Sequence, residues 1–244
     1  MVSFDAVVDA YAIGRPDYPP AVFEALEPLP GRVVIEGGCG TGIATRELTS
    51  RGARVIAFDI GAAMVTHTAR HSPGAWGAVV ADGGQLPCGD AVADVLCFAQ
   101  SWHWMNPATR VTEAARVLVP NGRWAGWWSH PRADSESWFD AYWSLIEAAC
   151  PGTHRSQRNT DWGADLRASG LFTVRDRVTV PWIRSVVVEH WLTDERSKSY
   201  VSELPTQRRE ELLADVHTVV STAFPGGVMT VPYETWLWTA DVRQ

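Results

Sequence analysis

The sequence has four cysteines among its 244 residues and pairs none of them. Cys39, Cys88, Cys97 and Cys150 are scattered, with no CxxC. That spacing argues against a disulfide frame or a zinc cluster and predicts reduced thiols in a cytoplasmic protein. No apolar stretch approaches the roughly 20 residues of a membrane helix. The Met1 end lacks the basic-then-apolar pattern of a secretory signal, so neither membrane nor export is expected. Basic charge is also short: Lys and Arg number 21 against 28 Asp and Glu, for a net charge of −7. Nucleic-acid surfaces need clustered cations, so no nucleic-acid partner is expected. There is no internal repeat and no low-complexity segment.

Hydrophobic residues make up 46% of the chain, enough for a large core, and 13 of them are tryptophans. Short β-branched runs alternate with helical patterns through the first half. Strands are expected at Arg32–Ile35, Arg54–Phe58, Gly77–Val80, Asp94–Ala99 and Arg123–Ser129. Helices are expected at Ala21–Leu26, Ile43–Arg51, Ala62–Arg70 and Thr109–Leu118, the last stopped by Pro120-Asn121-Gly122. Such alternation implies βαβ units and a doubly wound, mostly parallel sheet. After Ser129 the rhythm breaks. Helix is expected near Glu136–Ala149, from Val186 to Ser199 and from Gln207 to Phe224, with strands at Phe172–Trp182 and Val228–Ala240. The expected fold is therefore α/β: a seven-stranded sheet with an antiparallel edge strand and a small helical lid.

The stretch Glu36 to Gly42, EGGCGTG, places four glycines directly after the buried run Val33-Val34-Ile35. In a doubly wound sheet the first strand–helix junction is a usual ligand contact. A dinucleotide loop would read GxGxxG, but Gly38, Gly40 and Gly42 form GxGxG, and Ile43 occupies the place of the third glycine. The GK[ST] of a phosphate loop is absent. Glu36 would repel a pyrophosphate. Asp59 ends the second strand, where a carboxylate can accept from a ribose diol, and Asp82 follows the third. Three acids on one rim suit a cationic, ribose-bearing ligand without phosphate, which is the description of S-adenosylmethionine.

Several stretches in order resemble class I S-adenosylmethionine-dependent methyltransferases, in the small-molecule branch that includes trans-aconitate methyltransferase-like proteins. YAIGRPDYP (Tyr11–Pro19) is similar to that branch's YxxxRPxYP entry segment. VVIEGGCGTG, VIAFDIGAAMV and EAARVLVPNGRWAGW resemble the glycine motif, the ribose-acid motif and the segment usually written RVLxPGG. SWHWMN is similar to its HWF/HWM stretch. The resemblance covers residues 8–130 well. Departures are Asn121-Gly122 for Gly-Gly, an extra glycine beside Glu36, and Gly83-Gly84 where an acidic pair is common.

The resemblance implies a Rossmann-like methyltransferase fold and S-adenosylmethionine as cofactor. It implies cofactor contacts from Tyr11, Arg15 and Tyr18 in a covering segment, residues 1–30. A cofactor-binding core, residues 31–130, would contribute Glu36, Gly38, Gly40, Thr41, Gly42, Asp59, Ile60, Met64, Asp82, Gly83, Gln100 and Ser101. Residues 131–170 and 183–227 would form the lid, and 171–182 and 228–244 the closing strands. His103 and His130 are the candidate catalytic residues. His103, between Trp102 and Trp104, reads either as a general base or as part of a packing wedge. Tyr11, Trp102, Trp128 and Trp138 are expected to touch a small-molecule acceptor, with Trp143, Trp162 and Trp191 roofing the pocket. His67 and His71 share a helix face that reads as solvated, and no metal is expected. The partners expected are that small-molecule acceptor and at most a second copy of the chain, as monomer or homodimer. A nicotinamide-dependent oxidoreductase and a non-catalytic cofactor-binding protein stay open as alternatives.

Overall fold

A computed structural model describes residues 8, 12 and 14–243, with the backbone alone at 157 and 158. The strands are β1 (Val33–Gly37), β2 (Arg54–Asp59), β3 (Gly77–Val80), β4 (Ala93–Ala99), β5 (Leu118–Pro131), β6 (Phe172–Val174), β7 (Val178–Val187) and β8 (Val228–Val242). They form an eight-stranded sheet in the order β3-β2-β1-β4-β5-β8-β6, with β7 also paired to β8. The pairs from β3 through β5 are parallel, and β6 runs antiparallel to β8. Helices α1 (Pro20–Glu24), α2 (Ile43–Ser50), α3 (Ala62–His71), α4 (Arg110–Val117), α5 (Ser137–Ala149), α6 (Ala164–Ser169), α7 (Val188–Ser197), α8 (Ser199–Ser202) and α9 (Thr206–Ala223) complete the described elements.

One expected strand divides. Phe172–Trp182 is two strands, β6 and β7, because Arg175, Asp176 and Arg177 interrupt the apolar run. Arg175 reaches Asp241, and the Arg177 guanidinium lies 3.9 Å over the Trp236 ring. The helix expected from Val186 starts at Val188 instead, since the β-branched Val186 and Val187 continue β7.

The chain forms two compact units. One comprises residues 17–129, 161–180 and 235–244; the other comprises 1–16, 130–160 and 181–234. In the first unit, strand alternation sorts neighbours onto opposite faces. Ile35, Leu96, Trp124, Trp128, Trp236 and Trp238 build one layer, while Val34, Val95, Cys97, Ala125, Trp127 and Leu237 build the other. Gly126 lies between the two same-face indoles, and a Cβ there would stand 2.5 Å from the Trp124 ring. The second unit is helical: α5, α7 and α9 bury Phe139, Tyr142, Ile146, Trp191 and Val216 against Met229, Val231 and Tyr233 of β8. No helix among the described residues is long and apolar enough to cross a membrane.

Candidate cofactor and acceptor site

The carboxyl ends of β1, β2, β3 and β4 in the first unit carry most of the expected site. β1 stops at Gly37, and the chain turns through Gly38, Gly40 and Gly42 at φ of 68°, 54° and 80°. These are left-handed values that a Cβ disfavours. At Gly38 the neighbour that comes close is the protein itself: a Cβ would lie 2.5 Å from the Ser101 Cβ. Ser101 is buried and donates its hydroxyl to the Gly37 carbonyl. The glycines thus let the β1 and β4 loops close on each other.

Asp59 braces the same turn from β2. Its Oδ2 accepts the Gly40 amide at 2.8 Å, and its Oδ1 accepts the Gly61 amide at 2.8 Å. It remains half-exposed, and each carboxylate oxygen can accept more than one donor. Ile60, beside it, is 51% exposed. Asp82 is exposed, with Oδ1 capping the Gly84 amide at 2.8 Å. Gly83 lies where a Cβ would collide with the Met105 sulfur. Gln100, directly after β4, holds φ at 59°, an uncommon value for a residue with a side chain. Its amide is fixed on the Trp127 carbonyl at 2.9 Å.

Glu36 departs from the expected acidic rim. It is 1% exposed and accepts the Thr45 hydroxyl at 2.5 Å. Burial pushes its carboxyl up to about 8; the Thr45 hydrogen bond opposes this and the nearby Asp59 charge adds to it. At neutral pH it holds its proton and is buried, so the acids left on the rim are two, Asp59 and Asp82, instead of three. Thr45 is missed by sequence reasoning, although its place one turn into α2, behind the glycines, is a usable signal. Thr41 is buried in the turn, and its Oγ1 has no hydrogen-bond partner among the described residues. Met64 is 1% exposed on the inner face of α3, which makes it packing rather than rim. Burial above all pushes the Cys39 thiol up, leaving it inert in the turn.

An aromatic group stands beside this rim. The turn Trp102–Trp104 follows β4. Trp102 is fully buried, 4.6 Å from Phe98 and 5.2 Å from Trp124, so it is an anchor of the core instead of the expected acceptor contact. Its carbonyl accepts from Arg110 at 3.1 Å, and the Arg110 guanidinium also lies 5.0 Å over its ring. His103 and Trp104 are exposed. Trp128 of β5 stacks on Trp162 with centroids 4.7 Å apart and planes at 16°, and His103 lies 5.4 Å from Trp162.

The remaining candidates fall elsewhere. Tyr18 is in the first unit, edge-on to Trp127 at 5.7 Å. Arg15 belongs to the helical unit, where its Nε lies 3.2 Å from Asp194. His130 is also in that unit, near the end of β5. Trp138, Trp143 and Trp191 are core residues there rather than a pocket roof, with Trp138 edge-on to Trp191 at 6.1 Å. Tyr11 lies outside the described residues. Among the described residues no three His, Cys, Asp or Glu side chains gather as a metal site would require.

Known methyltransferases resemble this chain in sequence and in fold. Residues 35–125 match the methyltransferase domain family. An uncharacterized methyltransferase of Mycobacterium tuberculosis is 31% identical over 233 residues, spanning 91% of this chain and 86% of that protein. One from Schizosaccharomyces pombe is 24% identical over 230 residues, spanning 90% and 88%. Among solved structures, an Anaeromyxobacter dehalogenans protein described as a type II methyltransferase shares the fold. Its TM-score is 0.69 at 22% identity, covering 94% of this chain and 97% of that one. The geranyl diphosphate C-methyltransferase of Streptomyces coelicolor shares the fold at TM-score 0.51 and 15% identity, covering 92% and 79%.

Proposed function

The chain belongs to the class I S-adenosylmethionine-dependent methyltransferases, and from that premise we propose that it methylates a small-molecule acceptor. The observation that carries the cofactor side is the Asp59 brace. One carboxylate at the tip of β2 holds the Gly40 and Gly61 amides and stays half-exposed, so it orders the glycine turn and retains acceptor capacity for a ribose diol. The donor set fits the cofactor in two ways. Two carboxylates and a glycine turn face a ligand without phosphate. The Thr41 hydroxyl is buried without a partner among the described residues. Arg46 of α2 donates to the Thr41 carbonyl at 2.8 Å.

When bound, S-adenosylmethionine supplies an electrophilic methyl group on a sulfonium. In this reading the chain's own work is alignment and exclusion of water. Asp59 holds the ribose hydroxyls, with Ile60 beside them. Gly38, Gly40, Thr41 and Gly42 let the backbone approach, and Asp82 with Gly83 flanks the base. Gln100 and Ser101 fix the β4 loop against the turn. Trp128 with Trp162, and His103 with Trp104, border the place of the acceptor. Acidic net charge supports a small acceptor over RNA.

Calorimetry and melting curves with S-adenosylhomocysteine, and with NADH as control, test the cofactor. Binding and stabilisation by the first alone are expected, because a ligand of the native state raises its stability. Binding of NADH alone would overturn the assignment. Incubating metabolite pools with methyl-labelled cofactor should reveal one small molecule gaining a methylene, and label found only in RNA or protein would overturn the acceptor class.

A further inference from the structure

Strand β3 ends the sheet, and among the described strands it pairs with β2 alone. Its neighbours fix which way its backbone faces. In β2 the Arg54 amide donates to the Arg32 carbonyl at 2.8 Å, and the Phe58 carbonyl accepts the Cys39 amide at 2.9 Å. Those two residues therefore face β1, and by alternation Val55, Ala57 and Asp59 face β3. The Asp59 carbonyl accordingly accepts the Ala81 amide at 2.9 Å. With Ala57 opposite Ala78 and Asp59 opposite Val80, the backbones of Gly77, Val79 and Ala81 turn toward β2. The N–H and C=O groups of Ala78 and Val80 lie along the outer edge.

This edge is apolar and unguarded. From Trp76 to Ala81 there is no charged residue and no proline. Trp76, Val79 and Val80 are 60%, 40% and 52% exposed, and a Cβ at Gly77 would meet nothing within 4 Å. A free edge of this kind is a template for a further strand. The charges at its two ends say which strand. At one end the Arg54 guanidinium lies 4.9 Å over the Trp76 ring, and at the other Asp82 is exposed. Neither residue forms an ion pair among the described residues. A second copy laid antiparallel brings these opposite ends together.

We propose that β3 pairs antiparallel with β3 of a second copy of the chain, forming an isologous dimer. Ala78 exchanges both of its hydrogen bonds with the partner's Val80, and Val80 with the partner's Ala78. That register uses the free backbone groups of both residues. The two-fold axis passes by Val79, whose side chain meets its own copy on one face of the joined sheet. Asp82 then comes opposite the partner's Trp76, beside the guanidinium stacked on that ring. Each end of the pairing sets an acid against a cation.

Sedimentation of the full chain over a concentration series should show a reversible monomer–dimer equilibrium. Val79→Lys sets two ammonium groups against each other at the axis. It should sediment as monomer wherever the parent is dimeric, with an unchanged far-ultraviolet spectrum. The charge pair gives a readout that a folding defect does not imitate. Arg54→Glu alone and Asp82→Arg alone each turn two exposed ion pairs into like-charge contacts, and each should raise the dissociation constant about tenfold. An equimolar mixture of the two should dimerise as tightly as the parent, because every mixed contact joins acid to cation. A parent that stays monomeric throughout overturns the proposal, even if the edge takes up a strand of another protein. A dimer that survives Val79→Lys also overturns it, by placing the interface elsewhere. A mixture no tighter than its components overturns the register.

Discussion

Ser101 donates its hydroxyl to the carbonyl of Gly37, joining the loop after β4 to the end of β1. The same serine occupies the space a side chain at Gly38 would need. Gly38→Ala must therefore adopt a left-handed φ of 68° and displace Ser101. A loss of about 2 kcal/mol or more is expected, with S-adenosylhomocysteine affinity lost alongside. Ser101→Ala should cost only about 1 kcal/mol, the worth of a hydrogen bond. Urea denaturation of both variants checks this, and equal, small losses would show that the loop contact does not constrain Gly38.

The buried carboxyl of Glu36 gives stability a pH dependence. Its value rises from 4.5 to about 8 in the folded chain, burial being the main cause. Between those values the native state keeps a proton that the unfolded state has released. The contribution is whole below 4.5 and is lost as pH rises through about 8. The slope is at most about 1.4 kcal/mol per pH unit. Glu36→Gln keeps an oxygen for the Thr45 hydroxyl and cannot ionise. Its stability relative to the parent should grow from pH 5 to pH 8, and parallel curves for the two proteins would refute this.

Asp59→Asn replaces one acceptor oxygen with a donor while the Gly40 and Gly61 amides still point at it. A hydrogen bond to a charged group is worth roughly 1.5–3 kcal/mol, so a loss of that order in S-adenosylhomocysteine binding is expected. Melting temperature should fall as well, because the turn loses its brace. Unchanged calorimetric affinity in a folded variant would move the ribose contact elsewhere.

In the helical unit, Asp194 is buried among cations. Its Oδ2 lies 2.9 Å from Arg184 Nη1, and Oδ1 lies 3.2 Å from Arg15 Nε. Arg184 also donates to the Tyr233 hydroxyl at 2.9 Å and to the Gly14 carbonyl. Burial would raise the Asp194 carboxyl, but Arg15, Lys198 and Arg184 together hold it below the ordinary range. Its contribution is therefore present above the ordinary carboxyl value and lost as pH falls through the lower folded one. Asp194→Ala leaves two guanidinium groups buried around a missing charge, at a cost of about 3–5 kcal/mol. Pairing it with Arg184→Met should recover part of that loss in a double-mutant cycle; no recovery would mean the pair is not coupled.

Much of this molecule was legible from residue order. Val33 to Ile35 before four glycines and Asp59 at a strand end each have a local cause, so periodicity and turn chemistry placed them. Pro120-Asn121-Gly122, expected as a turn, lies instead inside β5 at a shift of its register against β4. Trp236 and Trp238 alternate, and they share a face of the sheet. What stayed hidden depends on contacts distant in sequence. Glu36 reads as a surface acid until Thr45 and the layers around β1 remove its water. Trp102, Trp138 and Trp191 read as pocket walls because an indole suits a core and a ligand equally well. Only their burial separates the two uses. The break between β6 and β7 follows from Arg175 and Arg177 finding Asp241 and Trp236, more than 50 positions away, beyond any local pattern.

The place of β8 between β5 and β6 has a consequence for how the chain assembles. β6 reaches the sheet through β8, although more than 50 residues of helix and strand separate them. Asp241 of β8 ties the neighbours together, accepting from Arg123 of β5 at 2.9 Å and from Arg175 after β6. Strands β1 to β5 can pair by short right-handed crossovers, but until β8 docks, β5 is an open edge carrying Trp124, Trp127 and Trp128. An open apolar edge invites pairing with another molecule, and long-range strand docking is slow. Refolding should therefore pass through a state that is native-like from β1 to β5 and prone to aggregation, with yield falling as protein concentration rises.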